Sequence, residues 1–228
     1  MKISLVKLEK AVTGEVAMSQ ELDDMYMCFL MVKVPPAWKI YDSLKSLGSW
    51  YPDLNSRVGF IHNWMCNGVP HVFRLSAFVF PQGFLTGALQ FHARKHQIPI
   101  DLLSFDFEVS PFETEEQVKE LPKNGIYISG LFLEGAMWNQ SQKILTDLPA
   151  GQLFRQMNVI NFIPVDEVKE YEKKKYLCPV YKTAERKGVL TTTGLSSNFI
   201  LAVTLPCSED NPDKWTLRGA ALITEIIN

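Results

Sequence analysis

Two histidines, His92 and His96, have the spacing that zinc sites on helices use. Residues four apart in a helix lie on one face, so both imidazoles could reach one metal ion. The metalloprotease form of this motif needs a glutamate directly after the first histidine, and here that residue is Ala93. The sequence identifies no third ligand. We therefore predict ordinary histidines at a helix end and no metal site.

A nucleophilic serine and a pair of carboxylates are two other arrangements that could support catalysis. The stretch Gly194–Asn198 is close to the GxSxG elbow of hydrolases, but it lacks the final glycine that the sharp turn requires. Asp106 and Glu108 alternate along a predicted strand and could share acid and base roles. We predict instead that this pair lines a solvent-exposed face.

Nucleotide binding would need a loop that surrounds phosphates with backbone N–H groups and a lysine. The sequence of such a loop is GxxxxGK followed by Ser or Thr, and nothing in this sequence matches it. We therefore expect that this stretch hydrolyses no ATP by itself. The prediction for all 228 residues is no catalytic residue, no cofactor-binding residue and no cofactor.

The composition is that of a globular protein with a real core. The chain has 228 residues, of which 46% are hydrophobic and 21% are charged. A net charge of −2 gives no bulk attraction to nucleic acid or to an anionic membrane, and neither partner is predicted. Leu75–Ala93 contains no charged side chain, but Pro81, Gly83 and Gly87 argue against a membrane span. We expect this segment to pack against other protein.

The cysteines and tryptophans are predicted to pack in the interior and not to take part in a reaction. Scattered cysteines without a CxxC pair predict buried free thiols in a reducing compartment, here Cys28, Cys66, Cys178 and Cys207. Core packing is predicted for most tryptophans, with an interface anchor as the alternative, at Trp38, Trp50, Trp64, Trp138 and Trp215. Lys7, Glu9 and Lys10 interrupt any signal peptide, so we expect a cytoplasmic protein in which the Asn139–Ser141 sequon stays unmodified.

The first hundred residues predict helices. Apolar residues recur at helical spacing from residue 5 to residue 29, which predicts one long first helix ended by Pro35 and Pro36. A second helix is predicted over Pro52–Asn67, with Asp53 near the positive end of its dipole. A third helix is predicted to begin at Pro81 and to end in a basic turn.

From residue 101 onward the apolar period changes to two, which predicts strands. The first runs from Leu103 to Val109, and the others are Ile126–Leu133, Val159–Val165, Leu177–Lys182, Phe199–Leu205 and Trp215–Ile226. About six antiparallel strands must hide their edges, so a barrel or a sandwich is predicted. The charged run Asp166–Lys175 is interpreted as a solvated excursion.

Several long motifs in one order closely resemble the C-terminal region of axonemal dynein heavy chains, the motor subunits of cilia and flagella. The likeness covers almost the whole sequence. The motifs are Phe80-Pro-Gln-Gly-Phe-Leu-Thr-Gly-Ala-Leu-Gln90, Ile98-Pro-Ile-Asp101, Gly130-Leu-Phe-Leu-Glu-Gly-Ala-Met-Trp138, Cys178-Pro-Val-Tyr-Lys-Thr183 and Trp215-Thr-Leu-Arg-Gly-Ala-Ala-Leu222. The sequence departs from the usual family pattern at Phe91, Met137 and Leu195.

The resemblance implies an α+β fold with a helical N-terminal half followed by an antiparallel six-stranded β-barrel. Residues 1–100 would be continuous with the last AAA+ module of the parent motor, and residues 101–228 would form the barrel. ATP would bind in the AAA+ ring upstream. The implied function is a non-catalytic regulatory or structural region at the axoneme, with the ring as partner, other dynein subunits as possible partners, and only indirect contact with microtubules.

The apolar faces of the first and third helices are the predicted contact with the ring. The residues chosen for this interface are Leu8, Val12, Phe84 and Ala88. The alternative for Phe84 and Ala88 is that they join the two halves of the protein internally. A rival function of another class is a free-standing β-barrel module that binds a small ligand or carbohydrate, which predicts a roomy pocket lined by aromatic side chains.

Overall fold

Five α-helices and eleven short β-strands form the part of the protein that the structure describes. The structure is a computed structural model, and it describes residues 1–41, 43–166, 174–190, 196–208 and 213–226. The helices are α1 (Lys2–Val12), α2 (Gln20–Leu30), α3 (Leu47–Asn67), α4 (Pro81–His96) and α5 (Asp213–Leu217). The strands are β1 (Val72–Arg74), β2 (Ser104–Val109), β3 (Ile126–Ser129), β4 (Phe132–Glu134), β5 (Met137–Asn139), β6 (Ile144–Thr146), β7 (Phe154–Gln156), β8 (Ile160–Val165), β9 (Lys175–Tyr181), β10 (Phe199–Pro206) and β11 (Ala221–Ile223).

The first two helices pack as a hairpin, so the prediction of one long helix is wrong. Gly14 has φ of +81°, a left-handed conformation that suits glycine and turns the backbone after α1. Ser19 then caps α2, since its side chain accepts a hydrogen bond from the N–H of Leu22. The helix ends at Leu30, before the predicted stop at Pro35. Turn and cap chemistry therefore outweighs the continuous apolar period.

Helices α3 and α4 lead to the sheets. The second predicted helix is present but begins at Leu47 and not at Pro52, which lies inside its first turns. Gly68, with φ of +87°, closes α3 through its N–H to the carbonyl of Trp64 at 3.0 Å. The prediction of a helix from Pro81 is confirmed by α4. No helix of the described residues combines the length and the apolar character needed to cross a membrane.

Two open mixed sheets and one hairpin replace the predicted barrel, so that prediction is wrong. The four-stranded sheet has the order β1-β3-β8-β2, the five-stranded sheet has the order β10-β9-β11-β4-β7, and β5 pairs with β6. The pairs β1–β3 and β9–β11 are parallel, and all the other pairs are antiparallel. Alternation along a strand reports which face is buried but not which strand is its neighbour.

Glycine turns divide two of the predicted strands. Gly130, with φ of +71°, separates β3 from β4 inside the predicted strand Ile126–Leu133. In the predicted strand Trp215–Ile226, residues 213–217 are helix α5, and Gly219 with φ of +65° leads into β11. Strands β2, β8, β9 and β10 confirm the other predicted strands to within a few residues. Most of the charged run from residue 166 to residue 175 lies outside the described residues.

The main core lies between the two larger sheets and is closed by helices α4 and α5. Leu85 of α4 and Trp215 of α5 pack into it beside strand residues that are almost fully buried, among them Ile128, Phe162 and Val203. A smaller core holds the α1–α2 hairpin on the following loop and on α3, through Leu8, Leu22, Met25, Trp38 and Trp50. Because β1 (Val72–Arg74) belongs to the four-stranded sheet, the first hundred residues supply part of that sheet. The predicted division at residue 100 stays a prediction.

We expect Phe162→Ala to lower the free energy of unfolding by about 3–5 kcal/mol, because removing a large buried ring leaves a cavity. The ring of Phe162 is fully buried and meets the ring of Phe107 edge-on, with centroids 5.0 Å apart. Leu177→Ala is the control, since Leu177 is 65% exposed on β9 and should cost about 0.5 kcal/mol or less. Urea unfolding of both variants measures the difference. Equal losses would contradict the assignment of the core.

Candidate functional site

The histidine pair lies in the last turn of α4. The ring centroids of His92 and His96 are 4.3 Å apart. Burial of His92, with the nearby positive charges of His96 and Lys95, lowers the pKa of its imidazole. In the described residues, no group of three or more His, Cys, Asp or Glu side chains is placed to hold a metal ion.

The other residues considered for catalysis lie in unlike surroundings. Asp106 is 6% exposed and accepts a hydrogen bond from the N–H of Phe107 at 2.9 Å, whereas Glu108 is exposed. The prediction that both carboxylates face solvent is therefore wrong for Asp106. Gly194 and Leu195 lie outside the described residues. The amide of Asn198 is buried and donates to the carbonyl of Lys187 at 2.8 Å, a contact that holds the turn between β9 and β10.

The prediction of buried free thiols is confirmed for two of the cysteines. Cys178 and Cys207 are buried, Cys28 is half-buried, and Cys66 is exposed. Burial raises the pKa of the Cys178 thiol to about 12, so it stays protonated and unreactive at neutral pH. The tryptophan prediction is confirmed at the three buried tryptophans, which are Trp38, Trp50 and Trp215.

A buried ionic cluster joins α3 to the segment after β11. Its cations are Arg57 and Lys45, and its carboxylates are Asp53 and Glu225. Arg57 Nε lies 2.6 Å from Asp53 Oδ2, and Lys45 Nζ lies 2.7 Å from Asp53 Oδ1. The same two cations lie 3.5 and 3.9 Å from the carboxylate of Glu225. Asp53 is therefore the better-paired carboxylate of the two.

Hydrogen bonds from neighbouring groups complete this cluster. Arg57 also donates to the backbone carbonyl of Ser76, which ties α3 to the turn before α4. The hydroxyl of Tyr41 donates to Asp53 Oδ2 at 2.8 Å, and the Arg57 guanidinium lies 3.9 Å from the centre of the Tyr41 ring. Every charged group of the cluster has a partner, as buried charges require. The arrangement can hold elements together, but it presents no group ready to react.

The two carboxylates of the cluster have opposite pKa shifts. Glu225 is 4% exposed, and its burial raises the pKa of the carboxyl more than the Ser43 hydrogen bond and the charges of Lys45 and Arg57 lower it. Burial also acts to raise the pKa of Asp53, but direct hydrogen bonds from the same two cations outweigh it and lower the pKa. The cluster therefore favours the ionised form of Asp53, whereas ionisation of Glu225 costs free energy in the folded state.

Sequence reasoning missed this cluster because its members are far apart in the sequence. From the sequence, Asp53 is predicted only to complement the helix dipole, and no role is predicted for Arg57, Lys45 and Glu225. One signal was available. Glu225 is the single charged residue in the apolar stretch Ala220–Ile226, and a lone charge in such a stretch needs a buried partner.

An open cleft of about 480 Å³ lies beside the cluster, between the loop before α3 and the turn after β9. Tyr41 and Ser43 line one side, and Lys182 and Thr183 line the other. Among the described residues that line this cleft, Tyr41 is the one aromatic side chain. The rival function predicts a pocket lined by several aromatic side chains, so this cleft does not favour it.

The exposed large apolar side chains are concentrated on the α1–α2 hairpin. Residues 1–32 carry nearly half of those in the described part of the protein, including Ile3 (76% exposed), Leu30 (62%) and Val12 (57%). Only the inner side of the hairpin packs on the small core, through residues such as Leu8 and Met25. Concentrated exposed apolar surface is typical of sites that contact a protein, a membrane or a ligand.

The four residues predicted for the interface lie in different places. Val12 is exposed, Leu8 is 6% exposed inside the hairpin core, and Ala88 is half-buried on α4. Phe84 belongs to an aromatic cluster that includes Phe78, whose ring stacks on it with centroids 4.2 Å apart. The contacts of Phe84 fit the internal alternative. The interface role of these residues stays a prediction. Val12 can test it directly, because its side chain is exposed.

We expect Arg57→Met to lower the free energy of unfolding by about 3–5 kcal/mol, because it leaves the buried Glu225 and the half-buried Asp53 with Lys45 as their only cation among the described residues. Arg74→Met is the control. Its guanidinium lies 3.9 Å from Glu115 with both side chains partly exposed, and such pairs contribute about 0–1 kcal/mol. Urea unfolding measures both. If the two variants lose the same stability, Arg57 does not hold the elements together.

Adding Glu225→Gln to Arg57→Met should restore part of the lost stability, because the uncompensated charge is removed. A double variant that is simply additive would show that the two side chains are not coupled.

We expect Glu225 to weaken the fold as it ionises, because its pKa is raised in the folded state. The stabilising contribution of its protonated form is complete below the unfolded pKa, near about 4.3, and is lost as pH rises through the folded pKa. Glu225→Gln should therefore gain stability relative to the parent protein from about pH 4 to about pH 7. Urea unfolding across this range measures the gain. Glu108→Gln is the exposed control, and a difference for Glu225→Gln that is constant or falls with pH would contradict the assignment.

Known proteins similar to this one place it in a family. The family model that matches residues 1–224 is described as the C-terminal domain of the dynein heavy chain. The sequence is 45% identical over 222 residues to dynein axonemal heavy chain 1 of Mus musculus, with 96% of this chain and 5% of that protein covered.

Two further relatives are dynein axonemal heavy chain 3 of Mus musculus and dynein axonemal heavy chain 12 of Homo sapiens. Both are 42% identical to this chain, covering 99% and 98% of it and 6% and 7% of their own length. The chain thus spans a small fraction of the length of these relatives. A match over almost all of its residues, at this identity, shows that it belongs to the family of C-terminal domains of dynein heavy chains, in its axonemal form.

Proposed function

We propose that this protein is the non-catalytic regulatory or structural C-terminal region of an axonemal dynein heavy chain. In this role it packs on the AAA+ motor ring of the same heavy chain and modulates microtubule-based motility. Its contact with the microtubule is indirect, and other dynein subunits are further candidate partners. The axonemal relatives imply a cytoskeletal, axonemal location.

The observation that carries the proposal is the exposed apolar surface of the α1–α2 hairpin. Ile3, Val12 and Leu30 are all exposed on one small hairpin, and such a concentration of apolar surface supports a contact with a partner surface. The relatives are far longer than these 228 residues, so the rest of such a heavy chain is available to cover the hairpin. Family membership and surface chemistry support the same partner.

The internal contacts make the hairpin a rigid attachment point. Trp38 and Trp50 are buried beneath it, and the Tyr41 ring stacks on Trp50 with centroids 6.0 Å apart. Tyr41 in turn reaches Asp53 in the ionic cluster, whose Glu225 follows the central strand β11. A displacement of the hairpin would therefore also displace the sheets, because the residues between them are closely packed.

The region would modulate motility if it binds one conformational state of the ring more tightly than another. A ligand shifts a two-state equilibrium by its difference in affinity for the two states. Differences of about 1–3 kcal/mol are typical of coupled sites and change populations about 5- to 150-fold. A covalently attached domain does this without a separate binding step, because its effective concentration is high.

We expect Val12→Ser/Leu30→Ser, made in the intact heavy chain, to weaken docking of the region. Protease cleavage of the region should rise about fivefold or more, and the microtubule gliding velocity should change, because two apolar contacts are lost. Leu102→Ser/Leu177→Ser is the matched control, with two exposed leucines outside the hairpin at 61% and 65%. The control should leave cleavage and velocity unchanged.

Deletion of the whole region separates the regulatory role from a purely structural one. Altered velocity, run length or force with normal assembly supports regulation. Loss of ring stability supports capping of the ring instead. Motility and assembly that both stay unchanged would contradict the proposal.

A further inference from the structure

The outward side of helix α1 combines an apolar groove with a basic rim. Ile3 and Val6 are exposed apolar side chains, and Lys2, Lys7 and Lys10 form the basic rim beside them; the five residues line an open groove of about 330 Å³. These five residues recur at helical spacing and share one side of the helix. The groove is therefore a continuous surface feature and not a chance meeting of loops.

The packing of α1 fixes which side faces outward. Leu8 and Ala11 are buried in the hairpin core on the opposite side. The indole Nε1 of Trp38 donates to Ser4 Oγ at 3.1 Å, a further contact on the inner side of the helix. The groove is thus held open to the surroundings by contacts that the rest of the protein supplies.

The three lysines of the rim have no carboxylate partner in the part of the protein that the structure describes. No Asp or Glu oxygen there lies within 4.0 Å of their ammonium groups. Other lysines do have such partners, for example Lys214, whose Nζ lies 2.8 Å from Asp147 Oδ1. Because the 228 residues have a net charge of −2, the basic rim is a local property of α1 and not a consequence of composition.

We propose that this groove binds an acidic amphipathic segment of the same heavy chain, lying outside this region. The inference rests on the proposed function and assigns the chemistry of the partner. The segment inserts an apolar side chain between Ile3 and Val6, and its carboxylates reach Lys2, Lys7 and Lys10. The apolar contact supplies most of the affinity, while the exposed ion pairs fix the register and select the partner.

A lipid surface fits the same groove less well. Peripheral membrane helices insert a broad apolar face into the bilayer, and their affinity grows with the buried apolar area. The groove offers only Ile3 and Val6 between its lysines. This small apolar area and the closely spaced lysines fit a protein segment better than they fit a lipid surface.

Carbodiimide crosslinking of the intact heavy chain tests the inference, because this reagent joins amines only to carboxylates in direct contact. We expect Lys2, Lys7 or Lys10 to crosslink to Asp or Glu residues elsewhere in the same heavy chain. The pair Lys214–Asp147 is the internal standard, since both side chains are partly exposed and in contact. Crosslinking at the standard but not at the α1 lysines would overturn the inference. A mixture of isotopically labelled and unlabelled heavy chains identifies crosslinks between copies, which would also overturn it.

Charge reversal supplies the second arm. Lys2→Glu/Lys7→Glu/Lys10→Glu should increase protease cleavage of the region in the intact heavy chain by about tenfold or more, because like charges then face each other. Lys123→Glu/Lys143→Glu, at two exposed lysines outside the hairpin, should leave cleavage unchanged. Equal cleavage of the two variants would overturn the inference. So would binding of the parent heavy chain to vesicles of phosphatidylserine and phosphatidylcholine that the triple reversal abolishes.

Failure of this inference is distinguishable from failure of the proposed function. If Val12→Ser/Leu30→Ser weakens docking while the α1 lysines neither crosslink nor respond to reversal, the hairpin docks without an acidic partner, and only the inference fails. If neither set of variants changes docking, the proposed function fails as well.

Discussion

The contacts of the Arg57 guanidinium hold three parts of this domain together. This one group reaches Asp53 on its own helix, the carbonyl of Ser76 before α4 and Glu225 after β11. Asp53 lies in α3, Ser76 lies in the turn before α4, and Glu225 follows β11 of the five-stranded sheet. A cation with several donors is suited to this task because it can satisfy several acceptors in fixed directions. Arg57 thereby fixes α3 against the turn before α4 and against the segment after β11.

Local chemistry in the sequence predicts elements more reliably than their assembly. Proline at the start of α4 and glycine after α3 mark helix ends correctly, and a period of two finds β2, β8, β9 and β10. The period fails where a cap or a left-handed glycine intervenes, as at Ser19 and Gly130. Strand order depends on contacts between distant segments, so the parallel pairs β1–β3 and β9–β11 could not be read from alternation.

The candidate site is harder to predict than the fold, for a similar reason. Motifs with short spacing, such as His92 and His96, are easy to find, yet they occupy an ordinary helix end. The ionic cluster joins Arg57 to Glu225 across 168 positions, and no local pattern reports such a pair. The exposed apolar side of the hairpin is equally hidden, because helical periodicity treats Leu8 and Val12 alike. Only the packed structure separates the buried side of the hairpin from its exposed side.

Among the described strands β11 is the last in sequence order, yet it lies in the middle of the five-stranded sheet. It joins the β9–β10 pair to the β4–β7 pair, and Leu222 and Ile223 are almost fully buried there. Until the ribosome has released these residues, the two pairs have no common neighbour, and each keeps an unpaired edge open. Nascent proteins with such edges are prone to aggregate. The five-stranded sheet can therefore be completed only after β11 has been synthesised.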